Sequence, residues 1–102
     1  MLINLTPHPI NIVKDGEIVK TIPSSGIARL SQSLTQIGTY EDIPLFKITF
    51  GNGENIPEPD GNLYIVSSIV KSAYPDRDDL LVPAELVRDD NGSIIGCKGF
   101  SV

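Results

Sequence analysis

Short runs of β-branched and aromatic residues, separated by turn-forming residues, dominate this chain and predict a β-rich fold. Residues 10–14 (INIVK) and 17–22 (EIVKTI) are two such runs, and Asp15-Gly16 between them is one of the strongest short signals for a hairpin. The expected cross-strand partners are Lys14 with Glu17, Val13 with Ile18 and Ile12 with Val19. Asn91-Gly92 predicts a second hairpin near the end of the chain in the same way.

Further strands are predicted between the two hairpins. Residues 26–31 and 34–40 each favour a strand, and residues 43–50 (IPLFKITF) alternate clearly. The apolar members of that last run share one face, which we expect to be buried; they are Pro44, Phe46, Ile48 and Phe50. Residues 51–62 concentrate glycine, proline, asparagine and acids, and are predicted to form a loop.

One short helix is predicted after the loop. The apolar run 63–67 (LYIVS) is typical of a central strand, and Ser67 or Ser68 can cap a helix that ends at Pro75. The helix is therefore expected at about 67–75. The predicted fold class is mainly β, a small antiparallel barrel or sandwich of roughly six to eight strands with this one helix.

Composition narrows the possible partners. The chain has 102 residues, of which 40% are hydrophobic and 21% charged, as expected for a single globular domain covering 1–102. No apolar run approaches the ~20 residues that cross a bilayer, and the N-terminus lacks a basic signal region, so we expect a soluble intracellular protein with no membrane contact. A net charge of −5 with eight scattered cationic residues argues against binding long nucleic acid. A small anionic ligand needs only two or three cations.

The turn after the helix carries four charges, which are Asp76, Arg77, Asp78 and Asp79. The guanidinium of Arg77 can hold a phosphate or carboxylate, while Asp78 or Asp79 accepts hydrogen bonds from ribose hydroxyls. Alternatively, the arginine and the aspartates pair with each other or cap the backbone. The pattern of a calcium-binding EF-hand is missing, so no metal site is predicted.

Five further residues are candidate ligand contacts. Arg29 binds a ligand if its side of the strand faces a cavity, and is solubilising if it faces water. Ser25, in a Ser-Ser-Gly turn, can present its hydroxyl and backbone N–H to an anion. His8 lies between two prolines that stiffen it for hydrogen bonding or stacking, although a turn histidine bonded to a local carbonyl is the alternative. Ser67 and Ser68 are possible polar partners of the ligand.

Catalysis has little support in the sequence. The single cysteine, Cys97, lies in an apolar strand and is expected to be a buried small side chain. No nucleophile elbow, Walker loop or dinucleotide fingerprint occurs. We therefore expect a protein that is not an enzyme and needs no cofactor; a hydrolase that uses Asp78 with His8 is the remaining catalytic hypothesis.

Four segments, LTPHPINI, IPSSGIAR, YIVSSIVKSAYPDRDDLLVP and RDDNGSIIGC, resemble a family of small uncharacterised proteins of bacteriophages, prophages and bacteria. The resemblance implies a phage-encoded protein in the host cytoplasm. In that setting, small non-enzymatic proteins often block host defence, for example by sequestering nucleotide-derived signals such as cyclic ADP-ribose isomers.

Two main functional hypotheses follow. The first is a phage-type protein that sequesters a small anionic nucleotide-derived ligand, such as an ADP-ribose-type immune signal, and so antagonises host defence. The second is a structural or protein-interaction module, either a virion component or a host-protein binder. We also expect a homo-oligomer with ligand sites near subunit boundaries, because a domain of this size buries too little surface to build a nucleotide pocket alone.

Overall fold

The computed structural model describes all residues from 1 to 102 and shows a mainly β protein with one short helix, which confirms the predicted fold class. The strands are β1 (Leu2–Asn4), β2 (Ile10–Lys14), β3 (Glu17–Ile22), β4 (Arg29–Tyr40), β5 (Ile43–Glu54), β6 (Leu63–Ile65), β7 (Leu80–Arg88) and β8 (Ile94–Ser101). Helix α1 covers Ser68–Ala73, inside the predicted range 67–75. No helix is both long and apolar enough to span a bilayer.

Six strands form one curled, half-barrel sheet in the order β1-β6-β7-β8-β2-β3, and β4 and β5 form a separate two-stranded sheet. Antiparallel pairing, as predicted, joins β2 to β3 and β7 to β8. The pairings β1–β6, β6–β7 and β2–β8 are parallel. Strands β6 and β7 are parallel because the connection through α1 returns the chain to the end of the sheet at which β6 began. We call this six-stranded part with α1 the body.

Both predicted hairpin turns are present. Asp15 and Gly16 have φ values of 52° and 80°, which suits the left-handed turn that such a dipeptide adopts. The predicted pairs Lys14–Glu17 and Val13–Ile18 are confirmed, but Ile12 lies opposite Lys20 instead of Val19. A bulge between these pairs takes up one residue. Asn91-Gly92 lies in the loop between β7 and β8, where the Asp89 carboxylate accepts from two backbone N–H groups.

The core of the body lies between the parallel strands and α1. Its buried apolar cluster comprises Leu5, Ala28, Tyr64, Val66, Val70 and Leu80. Ser67 is the N-cap, and its Oγ accepts from the Val70 N–H at 3.4 Å, which starts the helix as predicted. The central position expected for the run at 63–67 is confirmed, because β6 lies between β1 and β7.

A long hairpin formed by β4 and β5 extends from the body; we call residues 29–54 the arm. The separate strands predicted at 26–31 and 34–40 are one continuous strand, and the loop predicted from 51 begins only after Glu54. The face expected to be buried in β5 is exposed along its whole length. The radius of gyration is 16.5 Å, whereas a compact chain of this length has about 13 Å. Leu30 at the base of the arm packs against the apolar cluster of the body, and the rest of the arm is exposed.

Candidate functional site

The charged turn is held together by its own side chains. The Nε and Nη2 of Arg77 donate to the two carboxylate oxygens of Asp79, at 3.0 and 2.6 Å. Lys71 Nζ donates to the carbonyl oxygen of Arg77 at 2.6 Å. The hydrogen bonds from Arg77 hold the pKa of Asp79 below its usual value, and the same bonds raise the pKa of Arg77. Of the two sequence interpretations, this geometry is that of internal pairing.

A carboxylate–phenol pair, Asp60 with Tyr64, lies at the same end of the sheet. The hydroxyl of Tyr64 donates to Asp60 Oδ2 at 2.6 Å, and Asp60 Oδ1 accepts from the Asn62 N–H. These bonds lower the pKa of Asp60, and the bond to Asp60 raises that of Tyr64. Because the nearby acids outnumber the cations, the field at this end of the sheet opposes anion binding.

The structure does not bring all the predicted ligand contacts together. Ser67 and Ser68 follow the carboxyl end of β6, while Arg77, Asp78 and Asp79 precede the amino end of the neighbouring parallel strand β7. The exposed Ser67 is already used as the N-cap, and Ser68 is exposed. At ~3.3 Å per residue, the three residues from Tyr64 to Ser67 separate the two ends by about 10 Å.

Ser25 and His8 are each joined to Asn4 by a hydrogen bond of their backbone. The Ser25 N–H donates to the carbonyl oxygen of Asn4 at 2.8 Å, so it is not available to an anion. Asn4 is buried, and its Nδ2 donates to the carbonyl oxygens of His8 and Ile22 at 2.9 and 3.1 Å. Its Oδ1 accepts from the N–H and the hydroxyl of Thr6. Asn4 thereby fixes the loop that presents the exposed His8.

His8 borders a groove of about 350 Å³ between β2, β7 and β8. Strands β2 and β8 pair in parallel at a single position, Ile12 with Cys97, and the groove lies beside this pair. Asn11 Nδ2 also joins the two strands by donating to the Ile95 carbonyl oxygen at 3.1 Å. The other lining residues are Pro9, Ile10, Pro83, Leu86, Ile94 and Gly96. Half of the lining is apolar and none of it is lysine or arginine, so the groove suits a neutral planar or apolar group.

Arg29 lies at the base of the arm with its side chain exposed. It pairs in register with Glu54, but the only ion pair of the chain is the one between Arg77 and Asp79. The solvent-facing alternative for Arg29 is therefore the observed one in this single chain, and its guanidinium is free to meet another molecule.

The arm carries the largest feature that sequence reasoning missed. Eight large apolar side chains on it are 44–65% exposed; they are Leu34, Ile37, Tyr40, Ile43, Leu45, Phe46, Ile48 and Phe50. Residues directly opposite one another share a face, so the pairs Leu34–Ile48, Gln32–Phe50 and Gln36–Phe46 line the same side. We call this side the apolar face. A stretch without charge from 30 to 40 was the available signal.

Few groups on the chain have the surroundings of a catalytic centre. Cys97 is buried, as predicted, and desolvation raises the pKa of its thiol, which disfavours the nucleophilic thiolate. Nowhere do three or more histidine, cysteine, aspartate or glutamate side chains form a group that could hold a metal ion.

Comparisons with protein-family models, with curated proteins and with solved structures find no match.

Proposed function

We propose that this protein is a non-enzymatic interaction module that contacts another protein surface through its arm. The observation that carries the proposal is the set of eight exposed apolar side chains on a hairpin that contributes little to the core. An isolated two-stranded hairpin is at best marginally stable in water, and a long exposed apolar edge promotes association. Such an arm is stable and soluble when a partner covers it.

The size of the arm suits this role. The eight side chains together leave on the order of 900 Å² exposed over the two faces of the arm, since Ile43 and Leu45 lie on the side opposite Phe46 and Ile48; one partner contributes about 800 Å² to a stable interface. The arm carries only Lys47, Glu41 and Asp42 between its end residues, whereas the body is acidic. The partner surface is therefore expected to be apolar and weakly charged, since charged residues are depleted at interface cores.

An arm-shortened variant tests this proposal. Replacing residues 33–49 by Asn-Gly joins Gln32 and Phe50, which are cross-strand partners, by a two-residue turn. Because the apolar cluster of the body lies outside the removed segment, we expect the body to keep a cooperative unfolding transition and to lose association. Loss of the folded body would instead assign the arm to the core and overturn the proposal.

The groove beside His8 favours a second candidate function, the sequestration of a small nucleotide-derived ligand by a phage-type protein. Its volume lies within the range of small-molecule sites, and His8 could stack on a base. The phosphates would then need cations from outside the groove, such as Arg29. Thermal unfolding with a panel of nucleotides tests this candidate. A ligand at 100 times its dissociation constant adds ~2.7 kcal/mol to the free energy of unfolding.

The matched variants for this second candidate are His8→Ala and Lys20→Ala. We expect His8→Ala to abolish the thermal shift, while Lys20→Ala, an exposed cation on β3, keeps it. Arg29→Ala and Arg77→Ala test the predicted anion contacts in the same assay. A panel without any shift for the unaltered protein, or equal shifts in all variants, would contradict sequestration at these residues.

A further inference from the structure

The two edges of the arm differ in how they are protected. Neither β4 nor β5 has a second neighbour, so each presents an unpaired edge of twelve residues. Natural edge strands usually carry proline or lysine against association with other strands. Strand β5 carries both, Pro44 and Lys47, whereas β4 has no proline and no charge from Leu30 to Tyr40. The open edge of the arm is therefore that of β4.

The part of β4 that pairs regularly with β5 is centred on Leu34. Register shifts bound it: between Leu30 and Gln32 the extra residue is on β5, and between Gln36 and Gly38 the extra residue is Ile37 of β4. The regular segment between them, Gln32-Ser33-Leu34-Thr35-Gln36, reads nearly the same in both directions. An antiparallel copy centred on Leu34 would thus align the regular backbone of residues 32–36 with the same segment of the second copy.

We propose that the arm pairs with a second copy of this chain, β4 against β4, antiparallel about a two-fold axis at Leu34. This inference rests on the proposed function and names a second copy as the partner at the β4 edge, while the apolar face of the enlarged sheet stays available to a further surface. Two hairpins then form one four-stranded sheet, β5-β4-β4-β5, which has the three or more strands needed for independent stability. Ser33 lies opposite Thr35 of the second copy, and Gln32 lies opposite Gln36.

Charge and packing both fit this register. Arg29 at the base of one β4 lies opposite Thr39 of the second copy, two residues from Glu41 at that copy's tip, and the two-fold axis forms this contact twice. On the apolar face, the two Leu34 side chains lie side by side with an Ile48 outside each of them. The result is a continuous apolar row across four strands.

Cysteine cross-linking tests the register between the two β4 strands directly. Strand partners have Cα atoms about 4.5–5.5 Å apart, within the range that a disulfide spans, so Leu34→Cys should link to its own copy. Two single variants are matched controls. In Ser33→Cys the two cysteines are diagonal neighbours at about 7–8 Å, beyond easy disulfide reach. In Ile48→Cys they lie three strand spacings apart, about 14 Å, on the same apolar face. The native Cys97 is buried and does not take part.

We expect mild oxidation to convert most Leu34→Cys chains into covalent dimers, while Ser33→Cys and Ile48→Cys remain largely monomeric on a non-reducing gel. Efficient linking of Ile48→Cys without Leu34→Cys would indicate face-to-face packing and overturn the edge pairing. Failure of all three, with a monomer by sedimentation, would overturn self-association. The proposed function is tested separately by the arm-shortened variant, in which the folding of the body is measured.

Discussion

Replacing Asn4 by aspartate is expected to be one of the most damaging single changes in the body, although it alters one atom of the side chain. Asn4 is 1% exposed, and its amide nitrogen donates to the carbonyl oxygens of His8 and Ile22. An ionised aspartate would place an oxygen against both carbonyl oxygens. It would lose two hydrogen bonds, leave two acceptors without this donor and bury a charge.

The magnitude follows from these losses. Each unmade bond to a buried group costs about 1–3 kcal/mol, and the carboxylate is buried without a cation, so we expect about 3–5 kcal/mol at neutral pH. This is a large share of the ~5–15 kcal/mol that stabilises a typical domain. The folded protein would raise the pKa of the new carboxyl above its unfolded value. The destabilisation should therefore be full above the folded pKa and shrink as the pH falls, because the protonated acid can donate to one carbonyl.

Urea unfolding of the unaltered protein, Asn4→Asp and Asn4→Ala at pH 7 and pH 4.5 measures this effect. The difference between aspartate and alanine should narrow at the lower pH, since alanine carries no titratable group. An Asn4→Asp penalty below about 1 kcal/mol, or a penalty independent of pH, would show that the amide does not hold the His8 loop as described.

Three smaller effects are also expected. Asp79→Asn should lower the free energy of unfolding by about 1–2 kcal/mol at pH 7 in thermal unfolding, and by much less near pH 2. Because Arg77 lowers the pKa of Asp79 in the folded protein, the stability that Asp79 contributes is present above its unfolded pKa and is lost as the pH falls through its folded pKa. Equal penalties at both pH values would contradict this. Gly96→Ala should cost about 1–3 kcal/mol in urea unfolding, because its Cβ would lie 2.6 Å from the Asn11 carbonyl oxygen, and an unchanged midpoint would refute the close approach. Cys97 should react with a thiol reagent only as fast as the protein opens, so fast labelling of the native protein would show that it is not buried.

Local chemistry made several parts of the fold predictable. The turn at Asp15-Gly16 is specified by residues that tolerate positive φ, and Ser67 and Pro75 bracket the helix through capping and a missing N–H. The charged turn was also within reach, because Arg77 and Asp79 are two residues apart and one of the two sequence interpretations was their pairing.

Non-local relations were out of reach. The alternation in β5 correctly predicted a strand, but alternation does not say whether another element covers the apolar side, and here none does. The parallel pairing of β1 with β6 joins residues about sixty positions apart, and no turn motif signals it. The groove beside His8 is lined by residues of β2, β7 and β8, and no local motif signals the parallel pairing that brings β2 next to β8.

The central claim is that the arm is an association surface for a second copy. Sedimentation equilibrium of the unaltered protein and of the arm-shortened variant tests this claim most directly. At micromolar concentration we expect the unaltered protein to have twice its chain mass of 11.0 kDa, and the variant lacking residues 33–49 to remain folded with the mass of one chain. An unaltered protein that stays at the mass of one chain at every concentration, or a shortened variant that still forms dimers, would contradict the claim.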